Sequence, residues 1–417
     1  SLLPTLLSFT KTKNNFLKDD DGYNITSFLG KISINQKIPI FILTIFIIGF
    51  SLFGISKLEV ENSFINYFSK KTEIYKGMKL IDDKLGGTTP LEVILKFPNA
   101  DKEEADLDDE FSDWENEDQQ DNEKYWFTKD KIDTITIVHN YLDSLPEIGK
   151  VLSFSSIIDV ATQLNNNKPL GTLEMGVLYT KIPEKIKTEI IDPYISIVNN
   201  EARISLRIID SQKNLRRNDL INKIDYDLQN ELGIEKDRYK LAGVLILFNN
   251  LLQSLFKSQI LTLGLVMIGI FAMFLILFKN IKLSLIGVIP NFIAAFFILG
   301  IIGMLRIPLD MMTITIAAIT IGIAVDNSIH YIYRFKEEYS NLKNYQETLK
   351  ICHSTVGKAI LNTSITIVFG FSILVLSKFI PTIYFGLFTG LAMLLAMLSV
   401  LTLLPSLILV IKPFDKS

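Results

Sequence analysis

Six apolar stretches constrain this chain more than any other feature: Ile38–Ser56, Ile260–Phe278, Leu283–Leu305, Met311–Tyr333, Ile360–Leu376 and Ile383–Ile411. Each is about 17 residues or longer, the length a helix needs to cross the hydrocarbon core of a bilayer. A chain that is 48% hydrophobic with mean hydropathy +0.31 is too apolar for an ordinary soluble fold. The first two stretches are separated by the polar residues 57–258, and the remaining connections are short. The sequence therefore predicts six spans with one large domain inserted between the first and the second.

Basic residues at the span ends orient the chain. Lys31 and Lys37, Lys279 and Lys282, Arg334, Lys336, Lys343, Lys350 and Lys358, and Lys412 and Lys416 all fall on one side. The opposite short loops carry only Arg306 and Lys378. Both termini (residues 1–37 and 412–417) are expected in the cytoplasm, and the inserted domain outside it.

That domain reads as α+β. Leu91–Phe97, Val151–Ser155, Ala202–Ile209 and Tyr239–Gly243 have strand character; Lys131–Leu145 and Arg217–Leu232 have helical apolar spacing. The β-α-β then β-α-β order predicts a ferredoxin-like unit. Gly243 is expected to end the last strand before a helix, Val244–Ser258, that runs into span 2. The acidic tract 101–123 reads as a solvated loop. Residues 335–356 read as one amphipathic helix along the inner membrane surface, with Tyr339, Leu342, Tyr345, Leu349 and a buried Cys352 on its apolar side.

Inside span 4 stands Asp326. A carboxylate at that depth costs about 2.5–3.5 kcal/mol on insertion scales and marks a proton or ion path by default. Helical spacing puts Thr315, Ile319, Gly322, Asp326 and His330 on one stripe, with His330, one turn toward the cytoplasm, placed to hand protons to or from water. Span 5 carries Asn362, Thr363, Thr366 and Gly370, which either pack helices or face Asp326 and solvate its charge. Asn327 joins this polar set. Pro290 and Asn291 predict a kink in span 3.

Much is excluded. One cysteine and three scattered histidines give no metal or disulfide pattern, a net charge of −3 gives no nucleic-acid surface, and no nucleophile–base pair suggests an enzyme. Near its two ends the chain reads Leu2-Leu3-Pro4-Thr5-Leu6-Leu7 and Leu403-Leu404-Pro405-Ser406-Leu407-Ile408. With a first residue that is not Met, this repeat suggests that residues 1–9 are the tail of an earlier, equivalent unit, and that the chain is the C-terminal half of a protein built from parallel repeats.

The run Gly-Ile-Ala-Val-Asp-Asn-Ser-Ile-His-Tyr-Ile-Tyr-Arg-Phe-Lys-Glu-Glu at 322–338 resembles the resistance-nodulation-division (RND) superfamily, within it the MMPL-type exporters, including hopanoid- and sterol-associated ones. So do the string from Leu241 to Leu255 and Thr363-Ser-Ile-Thr-Ile-Val-Phe-Gly-Phe. Spans 2–6 are also similar to a sterol-sensing domain. The resemblance implies an RND half-transporter with a porter-like domain in a bacterial inner membrane. It would export hydrophobic or amphiphilic molecules on the proton gradient, without a cofactor, with Asp326 as the coupling residue. Implied partners are the N-terminal repeat, the substrate, membrane lipids and further copies in a homo-oligomer. Two departures stand out: Asn327 occupies a position where many relatives have Tyr, and Met397–Pro405 lacks the acidic residue that many carry in span 6. Other readings are a lipid-binding sensor without transport, and a Sec-type auxiliary translocation subunit, whose external domain is usually much smaller.

Overall fold

The computed structural model describes residues 25–60, 64–98, 126–168, 171, 174, 176, 179, 182–212 and 215–415. The Leu2–Leu7 repeat and the acidic tract 101–123 lie outside the described residues. The first described element, helix α1 (Ile25–Asn35), was not foreseen in the sequence. Its Thr26, Leu29, Gly30 and Ser33 face is buried. These small residues let its backbone approach the last membrane helix, where the Ser33 hydroxyl donates to Leu401 O at 3.2 Å and Ser406 returns a bond to Ser33 O at 3.3 Å. Among the described residues, helix α2 (Lys37–Ile55) is the first of six helices long and apolar enough to cross a membrane.

The inserted region holds helix α3 (Glu73–Lys84), strand β1 (Thr89–Lys96), helix α4 (Lys129–Asp143), strand β2 (Ile148–Leu152), helix α5 (Phe154–Leu164), strands β3 (Ile195–Ser196) and β4 (Glu201–Ile208), helix α6 (Arg217–Asn230) and strand β5 (Tyr239–Ala242). The sheet is antiparallel in the order β2-β4-β1-β5, with β3 pairing β4. Alternation decides its buried face: Leu91, Val93 and Leu95 from β1 and Ala202, Ile204, Leu206 and Ile208 from β4 are buried. They meet Ile132, Ile135, Val138 and Leu142 of α4 and Leu220, Ile224 and Leu228 of α6 in one core. The strand expected at 151–155 ends early because Ser153 caps α5, accepting from the Ser155 N–H at 3.1 Å, while the Ser156 hydroxyl accepts from the Ser153 N–H at 3.4 Å.

Two buried carboxylates tie this region together. Asp82, in the last turn of α3, accepts from the Asp210 and Ser211 N–H groups and the Thr88 hydroxyl, all at 2.9 Å. Burial pushes its carboxyl up, but these hydrogen bonds outweigh that and hold it below the usual carboxylate range. Asp210 accepts from the Ile65 N–H at 3.2 Å and pairs with Arg217, so the linker after α2 is bound to the start of α6.

Strand β5 passes through Gly243 directly into helix α7 (Val244–Phe278), a single 35-residue helix that absorbs both the predicted 244–258 helix and span 2. Gly243 has φ 103°, a left-handed conformation that suits glycine, and a Cβ there would meet Pro90 O at 3.1 Å. The remaining helices are α8 (Ile281–Met304), α9 (Ile316–Leu342), α10 (Tyr345–Ser354), α11 (Val356–Ser372) and α12 (Ile380–Ile411). Helices α8, α9 and α12 fill the bundle; α2, α7 and α11 flank it. The linker after α2 touches two loops of the bundle: Leu309 N–H donates to Glu59 O at 2.8 Å and Ser69 N–H to Lys378 O at 3.1 Å.

The segment 335–356 corrects the expected single amphipathic helix. Helix α9 runs on to Leu342, Lys343 turns left-handed at φ 48°, and Asn344 caps α10 by accepting from the Gln346 N–H at 3.0 Å and the Glu347 N–H at 3.4 Å. Its apolar side packs inward: Leu349 and Cys352 are buried. Burial pushes the Cys352 thiol up to about 12.

Helices α2 and α8 meet through glycine. A Cβ on Gly54 would lie 2.1 Å from Gly300 O, and one on Gly303 would lie 2.0 Å from Gly54 O. Gly54→Ala is therefore expected to force the helices apart and destabilise the chain by at least about 1–3 kcal/mol, the range for overpacking. Gly49→Ala on the same helix, where a Cβ meets nothing within 4 Å, is expected to be neutral. Thermal melts of both variants in detergent check this, and equal melting temperatures contradict it.

Candidate functional site

Helix α9 builds the site. Gly322, Asp326 and His330 recur every fourth residue and share one face. The structure turns that face outward: the Asp326 side chain is 70% exposed and that of His330 65%. His330 Nε2 lies 3.4 Å from Asp326 Oδ1. A carboxylate at membrane depth is expected to face a protein interior or a wet cavity. Among the described residues Asp326 faces neither, although it sits in a helix of membrane-spanning length.

Asn327, one position on, is the residue that turns inward, with its Nδ2 3.5 Å from Ser364 Oγ on α11. Ser328 is also buried, and its Oγ accepts from Asn291 Nδ2 of α8 at 3.2 Å. Asn291 also donates to Gly287 O at 3.1 Å, in the helix that carries Pro290. These two pairs join the three helices through polar side chains in an apolar bundle, where partnered polar groups hold helices together.

Thr315 does not extend the stripe. It lies in the 3₁₀ turn before α9, and its hydroxyl donates to Met312 O at 2.8 Å. On α11, Asn362, Thr363, Thr366 and Gly370 are exposed. Thr363 and Thr366 donate to Ala359 O and Asn362 O of their own helix, both at 2.9 Å, rather than to Asp326. Because α9 and α11 touch at Asn327 and Ser364, the exposed stripe of α11 borders that of α9. A Cβ on Gly322 or Gly370 would meet nothing within 4 Å.

Sequence reasoning missed Asp310, a second carboxylate beside the bundle. It is buried and accepts from the Met312 N–H at 2.9 Å and the Thr313 N–H at 2.8 Å, while Thr313 Oγ1 accepts from the Asp310 N–H at 2.8 Å. The Asp-Met-Met-Thr spacing was the available signal, since it is that of a reciprocal helix cap. His353 was also passed over. It is buried between α10 and α12, with Nε2 2.9 Å from Leu401 O and Nδ1 3.1 Å from the Tyr331 hydroxyl. Its Nδ1 also lies 3.1 Å from Leu349 O, so both ring nitrogens face backbone carbonyls, and burial holds its pKa below the usual histidine value.

An apolar crevice of about 670 Å³ opens between α2, α7 and α8, lined by Phe256, Met267, Phe271, Leu285 and Phe292 among others. Gln259 is the one polar side chain among its described lining residues, and its Nε2 is buried without a partner. Among the described residues no three His, Cys, Asp or Glu side chains converge as a metal ion would require.

The model of the MMPL family matches residues 204–415, from β4 to the end of the last membrane helix. A membrane protein of Methanocaldococcus jannaschii is 26% identical over 381 residues, covering 90% of this chain and 92% of that relative.

Proposed function

The chain is a member of the MMPL family, and from that premise we propose that it exports hydrophobic or amphiphilic, lipid-like molecules across the cytoplasmic membrane, driven by the proton gradient. The observation that carries this reading is the Asp326–His330 pair: two titratable groups one turn apart on a membrane helix, 3.4 Å from each other. Asp326 takes up and releases the coupled proton, and His330 relays it toward the cytoplasmic end. The inward-facing Asn327, Ser328 and Ser364 transmit a change at Asp326 to α8 and α11, the helices they touch. The crevice beside α7 suits an apolar body with a single polar group at Gln259.

The strand order β2-β4-β1-β5, with α4 and α6 on one face, supports reading the inserted region as a ferredoxin-like, porter-type domain. In this reading it lies outside the cytoplasm and both termini lie within it. The gradient is the energy source; one charge crossing 100 mV supplies about 2.3 kcal/mol, enough for roughly fifty-fold accumulation.

Proteoliposomes holding the purified chain test this. Redistribution of a fluorescent phospholipid analogue is followed together with the internal pH. Movement of the probe and of protons is expected only with an imposed gradient, and both should stop when a protonophore collapses it. Binding of the probe with no gradient-dependent movement overturns the transport reading in favour of a lipid sensor.

A further inference from the structure

We infer that Pro405 makes α12 a hinge and that His353 is the catch that holds it, so that a shift of the Asp326 helix α9 is passed to the end of α12. Pro405 stands inside the helix Ile380–Ile411. Proline has no N–H, and the carbonyl four residues before it loses its helical donor. That carbonyl is Leu401 O, in a residue with no exposed surface. A buried carbonyl left bare costs more than an ordinary hydrogen bond is worth. Two side chains from other helices meet this one instead: His353 Nε2 of α10 at 2.9 Å and the Ser33 hydroxyl of α1 at 3.2 Å. A carbonyl only accepts, so both side chains donate. The Ser33 hydroxyl has a single hydrogen and also reaches Leu29 O of its own helix at 2.9 Å, which leaves His353 as the steadier donor.

His353 also touches the site helix. Its Nδ1 lies 3.1 Å from the hydroxyl of Tyr331, which follows Asp326 on α9 by about 7.5 Å of helix rise. A Cβ on Gly30 of α1 would meet the ring at 3.1 Å, so the ring has little room while α1 stays in place. The two sides of Pro405 are held by different partners. Before it, Ala396 packs on Ala294 of α8 and Ala324 of α9. After it, the Ser406 hydroxyl lies 3.3 Å from Ser33 O, and Asp415 accepts from the Tyr339 and Tyr345 hydroxyls at 3.0 and 3.2 Å. The break in α12 thus separates a part fixed to the bundle from a part fixed to α1, α10 and the end of α9. When α9 carries Tyr331 away, His353 is drawn from Leu401 O and α12 bends at the turn that proline has weakened. The hinge stands on this geometry alone. Its use in transport rests on the coupling reading of Asp326, so the two are measured separately.

The test follows backbone amide hydrogen exchange of residues 406–411 by mass spectrometry, with the full chain in lipid nanodiscs. His353→Phe keeps a ring without the donor and is expected to speed exchange there about ten- to a hundredfold. His353→Gln, whose amide can still donate to Leu401 O, should stay near the parent. Pro405→Ala returns an N–H to Leu401 O, so adding it to His353→Phe should restore slow exchange. Unchanged exchange in His353→Phe overturns the inference. So does fast exchange that persists in the double variant, since His353 would then only fill space. If His353→Phe does not fold by itself, folding of the double variant supports the catch and its failure to fold overturns it. In the proteoliposome assay Pro405→Ala alone is expected to bind the probe as the parent does and to lose gradient-driven flux; undiminished flux overturns the use of the hinge in transport. If the parent itself shows no gradient-driven flux, the coupling reading fails and the exchange rates still decide the hinge.

Discussion

Asp326→Asn is expected to insert and fold like the parent chain while losing proton-driven transport by about a hundredfold or more, the scale on which removal of a proton-transferring group is felt. The side chains are nearly isosteric, so packing is retained. The amide can still face His330, where the parent has a 3.4 Å contact. It cannot gain or lose a proton, and the charge that would respond to the gradient is gone. The substitution also removes the insertion cost of a carboxylate, about 2.5–3.5 kcal/mol, so expression should be equal or better. Asp326→Glu keeps the chemistry on a longer arm and should retain part of the flux. The proteoliposome assay and a thermal melt decide together: full gradient-driven transport by Asp326→Asn would sink the coupling role, and a collapsed melt would make the loss of flux uninformative.

The second large effect concerns folding outside the membrane. Arg217→Ala is expected to destabilise the inserted region by about 3–5 kcal/mol, because it leaves the buried Asp210 carboxylate without the cation beside it. The side chains are only 5% and 0% exposed, and Nε and Nη2 of Arg217 both converge on Asp210 Oδ1. Asp210 also holds the Ile65 N–H. The damage should therefore reach the linker from the first membrane helix. Replacing both partners, with Asp210→Asn added to Arg217→Ala, should recover part of the loss, since no bare charge is then buried. Trp126 lies in the core of the same region and gives a fluorescence signal for urea unfolding. Unchanged stability of the single variant would show that the pair is solvated on the timescale of folding.

The parts of this structure that a sequence reveals are those set by length and period. Ile281–Met304 and Ile380–Ile411 emerge within a few residues of the apolar runs because the bilayer fixes how long such a run must be. Strand β4 emerges because Ala202, Ile204, Leu206 and Ile208 alternate. What stays hidden is set by single side chains or by neighbours. Helix α5 displaced the end of a strand through one serine cap, and Lys343 and Asn344 cut an apparently continuous amphipathic helix in two. Helix α1 was overlooked because Gly30 and Ser33 look unremarkable until Leu401 is seen against them. Periodicity put Gly322, Asp326 and His330 on one face correctly, but it carries no information about which face meets the other helices. Here that is the face of Asn327 and Ser328.

Helix α7 has a mechanical meaning. At about 1.5 Å per residue its 35 residues make a rod about 52 Å long. One end is joined through the single residue Gly243 to a strand paired with β1, and the other buries its own Phe274 and Phe278 in the bundle. There is no slack segment between sheet and membrane helix. A tilt of about 10° about one end would carry the other through roughly 9 Å, so the chain has a crank built into it. Any rearrangement that leans α7 away from α8 must shear the edge of the sheet, and any load on the sheet must be felt at the walls of the crevice.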